Sequence, residues 1–105
     1  MAATYPILLC SGTKLQPVAQ NLYVGPTKST TTVRRATFTN TSPGPVTLTV
    51  TKGGDTIVSN YLVSSGESYV APALTNLVIS AGEVLQGACS TAGAIAAFIS
   101  GYLSQ

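Results

Sequence analysis

In the middle of the chain apolar and polar residues alternate, with Val46, Leu48 and Val50 set between Thr47, Thr49 and Thr51. A period of two puts one set on each face of an extended chain, and the β-branched content suits a half-buried strand. Upstream, Thr32 to Thr39 is equally rich in strand formers; Ala36 and Phe38 fall on one face, and Arg35, Thr37 and Thr39 on the other. Between the two segments lies Asn40-Thr41-Ser42-Pro43-Gly44-Pro45, a run of turn formers. The two segments therefore read as an antiparallel pair.

The same rhythm continues to the end of the chain. Lys52-Gly53-Gly54-Asp55 predicts a tight hairpin, because two adjacent glycines supply the positive φ that such turns need. A strand is expected over Thr56 to Val63, and a short one over Ser68 to Ala71 that stops at Pro72. Three more are expected over Leu74 to Ile79, Val84 to Cys89 and Ala94 to Leu103. Val63-Ser64-Ser65-Gly66-Glu67 is echoed by Ile79-Ser80-Ala81-Gly82-Glu83, each with a glycine in a turn between apolar segments. Strands at this spacing are the cadence of a sandwich or jelly roll. The segment Ala94-Ile95-Ala96-Ala97-Phe98-Ile99 has alanines that would suit a helix. Gly93, Gly101 and the β-branched Ile95 and Ile99 favour a strand, and apolarity on both faces places it mid-sheet or under an interface.

Residues 1 to 30 contain Pro6, Gly12, Pro17, Gly25 and Pro26, with Leu22-Tyr23-Val24 as the one firm strand. This segment reads as an extended N-terminal arm ordered by a neighbour. The expected architecture is all-β: a small antiparallel β-sandwich, jelly-roll-like, over residues 31 to 105, preceded by the arm of residues 1 to 30.

Charge alters this picture most. Only 8% of residues are charged, against roughly 25% in ordinary globular chains. A protein that stays soluble alone usually has dense surface charge, whereas neutral Ser, Thr, Asn and Gln lie against another protein at little desolvation cost. The surface reads as one made to be covered. Five scattered bases and a net charge of +2 do not form the concentrated stripe of a nucleic-acid binder. The apolar run Ile7-Leu8-Leu9 is too short for a secretory signal or a membrane span.

Chemistry is sparse. The chain has no histidine and three carboxylates, Asp55, Glu67 and Glu83, all in or beside turns, so acid–base catalysis has no candidate pair. Cys10 and Cys89 have no imidazole to activate them and are too few for a zinc site; two buried free thiols are expected, with a disulfide between them as the alternative, since sequence does not give the distance between their Cα atoms. No catalytic, cofactor-binding or metal-ligating residue is assigned, and the chain does not read as an enzyme. The candidates for partner binding are Tyr5, Tyr23, Tyr61 and Tyr69, because a rigid ring with one hydroxyl suits interfaces, together with Leu8 and the basic pair Arg34-Arg35.

Leu22-Tyr23-Val24-Gly25-Pro26, the stretch Thr31 to Thr41, Val46 to Val50 and the Ser-Gly-Glu turns resemble small virion proteins of tailed bacteriophages. The resemblance spans roughly residues 22 to 103. It implies a β-sandwich attached to a repeated protein lattice: a capsid decoration or cement protein whose partner is the major capsid protein or another virion protein, present as a homo-oligomer or as lattice-bound copies. The virion is the expected location, with synthesis in the host cytoplasm. The alternative it implies is a collar, baseplate or tail-fibre module that binds another tail protein or a host receptor glycan, for which Asn60-Tyr61 and Glu67 to Tyr69 are the candidates. Neither nucleic acid nor membrane is expected as a partner.

Overall fold

The computed structural model describes residues 4–104, so the first three residues of the expected arm and Gln105 lie outside the described residues. Among the described residues nine strands follow one another: β1 (Thr4–Lys14), β2 (Gln20–Val24), β3 (Thr30–Asn40), β4 (Val46–Lys52), β5 (Asp55–Val63), β6 (Ser68–Val70), β7 (Val78–Ile79), β8 (Val84–Cys89) and β9 (Ile95–Ser104). They form two antiparallel sheets. Sheet A has the order β1-β9-β3-β6 with β7 also on β3, and sheet B the order β2-β8-β4-β5. The result is an all-β, jelly-roll-like sandwich.

Alternation along each strand sends one set of side chains between the sheets. Val33, Ala36 and Phe38 of β3, Leu48 and Val50 of β4, Leu85 of β8 and Ile95 and Ile99 of β9 are fully buried there. Each large apolar side chain so buried stabilises the fold by about 1.5–3 kcal/mol relative to exposure. The doubly apolar C-terminal segment is the central strand of sheet A, paired with β1 on one side and β3 on the other. Cys10 and Cys89 are both buried free thiols. The Gly53-Gly54 hairpin joins β4 to β5, with both glycines at positive φ and Lys52 opposite Asp55.

Three expectations are corrected. The segment of residues 4 to 14 is extended, yet it pairs with β9 of its own chain, because the apolar run around Ile7 and Leu9 completes the edge of sheet A. The segments over 32–39 and 46–51 are not partners: β3 lies in sheet A and β4 in sheet B. Turn formers mark a reversal without saying whether the chain returns in the same sheet. Leu74 to Ile79 is not a continuous strand; Pro72–Leu74 forms one 3-10 turn and only Val78–Ile79 is extended. Pro72 fixes φ for that turn, and Leu74 anchors it in the core.

The crossing from β3 to β4 is held by Asn40, which is fully buried. Its Nδ2 donates to the carbonyls of Gly44 and Val63, both at 2.9 Å. Its Oδ1 accepts from the Ser42 backbone N–H at 2.9 Å and the Ser42 hydroxyl at 2.7 Å. Asn40→Ala leaves several of these groups buried and unpaired, and is expected to lower the unfolding free energy by about 3 kcal/mol and the melting temperature by roughly 10–20 °C. Thr56→Ala, at an exposed site, is expected to stay within about 0.5 kcal/mol. Thermal and urea melts of the two variants beside the parent check this; equal melts for parent and Asn40→Ala would refute it.

Candidate partner-binding surface

The register of sheet A defines its outer face row by row. Leu8 stands opposite Ser100, which stands opposite Arg35. In the next row Phe98 lies between Ser11 and Thr37, and Thr37 pairs with Val70 of β6. On the other side Tyr102 lies between Pro6 and Thr32, and Thr32 pairs with Val78 of β7. Leu8 is 64% exposed, Phe98 45%, Val70 41% and Val78 46%, so water touches four apolar side chains on a single face.

A bulge sets the cationic part of this face. Between Val33 and Arg35 the β3 register slips against β9; the extra residue is Arg34, and both arginines are exposed. The Arg34 guanidinium donates to the Tyr102 hydroxyl at 2.9 Å and lies 5.8 Å from that ring's centre. The contact holds a long side chain flat over the sheet, and a guanidinium beside an aromatic ring is also favourable electrostatically. Lys14 is exposed at the end of β1, opposite Ala96. None of the five strands of sheet A contains an aspartate or glutamate.

The carboxylates serve turns instead. Gly66 and Gly82, with φ of 76° and 81°, sit in two like-built reversals. In the first, the Glu67 carboxylate accepts from the Ser64 N–H at 2.9 Å, and in the second Glu83 accepts from the Ser80 N–H at 2.8 Å. Each turn also extends the ladder of the sheet it enters: Gly66 and Glu67 bond to the backbone of Asn40 at the end of β3, and Gly82 and Glu83 to that of Gly25 just after β2. Glu83 additionally pairs with Lys52 at 3.6 Å. The Ser80 backbone N–H, aided by Lys52, holds the Glu83 carboxyl below its ordinary range, against a smaller opposing effect of burial.

The remaining candidates are dispersed. Tyr61 of β5 and Tyr69 of β6 stack at 3.8 Å between ring centres and 17° between planes, closing the seam where the edges of the two sheets meet. Burial, Tyr61 and then Glu67 raise the Tyr69 pKa. Tyr23 is half-buried against the core, and its hydroxyl shares a 2.9 Å hydrogen bond with buried Thr31, joining sheet B to sheet A. Tyr5 is 44% exposed opposite Leu103. The structure thus brings Leu8, Arg34 and Arg35 to one face and leaves the tyrosines elsewhere. Phe98, Val70, Val78 and Tyr102 were missed; the apolarity of residues 94–99 on both faces was the available signal for Phe98.

The outer face of sheet B is different in kind. Thr47, Thr49, Asn60, Ala88 and Ser90, with Pro17 and Cys89, line a shallow depression of about 260 Å³ that contains no charged group. Asn60 and Thr49 are already bonded to each other. Among the described residues no cluster of three His, Cys, Asp or Glu side chains gathers to hold a metal.

Neither a family model nor a curated protein sequence matches the chain. Among solved structures, the fold is similar to that of the VP2 subviral particle of infectious bursal disease virus, with a TM-score of 0.61 and 19% identity over 98% of this chain and 32% of that one. T=1 particles derived from infectious bursal virus give 0.60 and 18% over 98% and 31%, and the Gx strain of that virus gives 0.57 and 18% over 99% and 32%. The chain spans about a third of the length of these chains. The likeness is one of fold, shared with virus-particle proteins without singling out those of bacteriophages.

Because the Glu83 pKa is lowered from its ordinary 4.5, its ionised form favours the folded state. That stability is fully present above the ordinary value and is lost as pH falls through the folded-state value. Melting temperatures recorded from neutral pH downward are expected to fall more steeply for the parent than for Glu83→Gln; parallel curves would contradict this.

Proposed function

We propose that the chain is a non-enzymatic virion structural protein that binds a repeated protein lattice and stabilises it, in the form of a bacteriophage capsid decoration or cement protein. The observation that carries the reading is a sandwich with the fold of virus-particle proteins over nearly its whole length, bearing exposed apolar residues on one sheet face in a chain only 8% charged. The sequence resemblance over residues 22 to 103 supports the bacteriophage assignment. The partner is the major capsid protein or another virion protein, and the location is the virion.

The mechanism is mechanical. Each copy spans neighbouring shell subunits with modest affinity, and repetition around a closed shell makes many weak contacts act together against expansion. β1 contributes as a sheet edge with one side of its backbone unpaired within the sheet, although two register shifts along it limit flat strand addition. The alternative of a glycan-binding tail module has less support, since Asn60 and Glu67 already spend polar groups on Thr49 and Ser64.

Purified protein titrated onto empty shells of the virus that encodes it is expected to saturate at a simple ratio to the shell subunit and to survive moderate salt. Saturation at a handful of sites per particle would move the protein to the collar or tail. Complete loss of binding at moderate salt would overturn the charge-poor contact.

A further inference from the structure

We propose that the outer face of sheet A is the docking surface, and that its occupant is a protein surface with carboxylates set among apolar groups. The inference rests on the lattice-binding reading and adds the face and the chemistry of the partner. Three of the chain's five cations, Lys14, Arg34 and Arg35, lie on sheet A strands that carry no carboxylate. Of the other two, Lys52 is paired with Glu83 and Lys28 lies in the β2–β3 connection. The acidic residues are confined to turns and to the start of β5, so the chain separates its charges by face.

Leu8, Phe98, Val70 and Val78 occupy the same face as the arginines. The row that holds Arg35 runs between the row of Phe98 and Val70 and the row of Tyr102 and Val78, with Leu8 at its β1 end, so the guanidinium groups stand among apolar neighbours. Arginine is itself enriched at protein interfaces and pairs there with complementary charge. A nucleic acid would present a phosphate row, and binding it calls for many cations and few exposed aliphatic groups. A second copy docked face to face would bring the arginine pairs of both molecules together without a counter-charge, so this face does not pair with itself. Sheet B also exposes Leu62 and Val24, but they stand on its opposite edge strands, β5 and β2, with threonine and amide groups between them, and its one cation, Lys52, is already paired with Glu83.

The test measures binding of variants to empty shells of the encoding virus, with melting temperatures confirming that each variant is folded. Arg35→Glu and Phe98→Asp are expected to weaken binding roughly tenfold or more, Arg35→Gln by less, and the sheet B variants Thr51→Glu and Thr56→Glu to stay within about twofold. Amidation of shell carboxylates with a carbodiimide and ethanolamine is expected to weaken binding roughly tenfold, the apolar contacts keeping the remainder. Loss of binding in the sheet B variants, with the sheet A variants unaffected, would overturn the assigned face and leave lattice binding intact. Unchanged binding to amidated shells would overturn the acidic partner, and displacement from shells by duplex DNA at physiological salt would overturn a protein partner. If the parent itself fails to bind shells, the lattice-binding reading falls and takes this inference with it.

Discussion

A sandwich whose chain keeps changing sheets must find new partners for its backbone at every crossing, since the ladder ends there and buried polar groups left unpaired are costly. Here the chain passes from one sheet to the other between β1 and β2, β2 and β3, β3 and β4, β5 and β6, β7 and β8, and β8 and β9. Replacement bonds come from elsewhere in the fold. Leu15 bonds to Ile95 and Gly93, Gly25 to Glu83 and Gly82, and the backbone of Asn40 to Glu67 and Gly66. Among the described residues no buried side-chain polar atom lacks a partner. The two Ser-Gly-Glu turns are therefore clasps as well as reversals: each carboxylate stiffens its own loop, and each loop's backbone ties down a neighbouring strand end in the sheet it enters.

This arrangement explains what the sequence disclosed and what it withheld. Alternation and β-branching revealed β4 and β8 because each buries one face over the full strand, and the doubly apolar segment of β9 announced a central position. Pairing was not legible in the same way. Periodicity reports which face of a strand is buried and is silent about the neighbour, so Asn40-Thr41-Ser42-Pro43-Gly44-Pro45 suited a hairpin as well as a crossing. What decides for the crossing is the amide of Asn40, buried against Val63 and Gly44, a contact that exists only after β5 is in place. The leading segment was misjudged for a related reason. Its strand is broken by two register shifts against β9, which disturb the period of two and make an edge strand look irregular.

The candidate surface was readable only in fragments. Arg34-Arg35 stood out as a pair, but an unbroken strand would send adjacent residues to opposite faces and bury one of them. Only the bulge at Arg34 makes both available on one side, and bulges are set by the partner strand's register. The tyrosines drew attention as amphipathic residues, yet three of them are used internally: Tyr23 bonds across the sheets to Thr31, and Tyr61 and Tyr69 stack on each other. The less conspicuous Phe98 and Val70 remain in water.

Low charge alone does not require that every face be covered. On the outside of sheet B the exposed Leu62 and Val24 are separated by the width of the sheet, and the threonine hydroxyls between them can bond to water as readily as to a protein. The outer face of sheet A gathers exposed leucine, phenylalanine and valine side chains around cations that have no counter-charge within the sheet. The two faces therefore differ in what they would gain from a partner. Since the bulge at Arg34 and the register of β9 together create the difference, the side proposed for docking is set by the same strand pairing that builds the core.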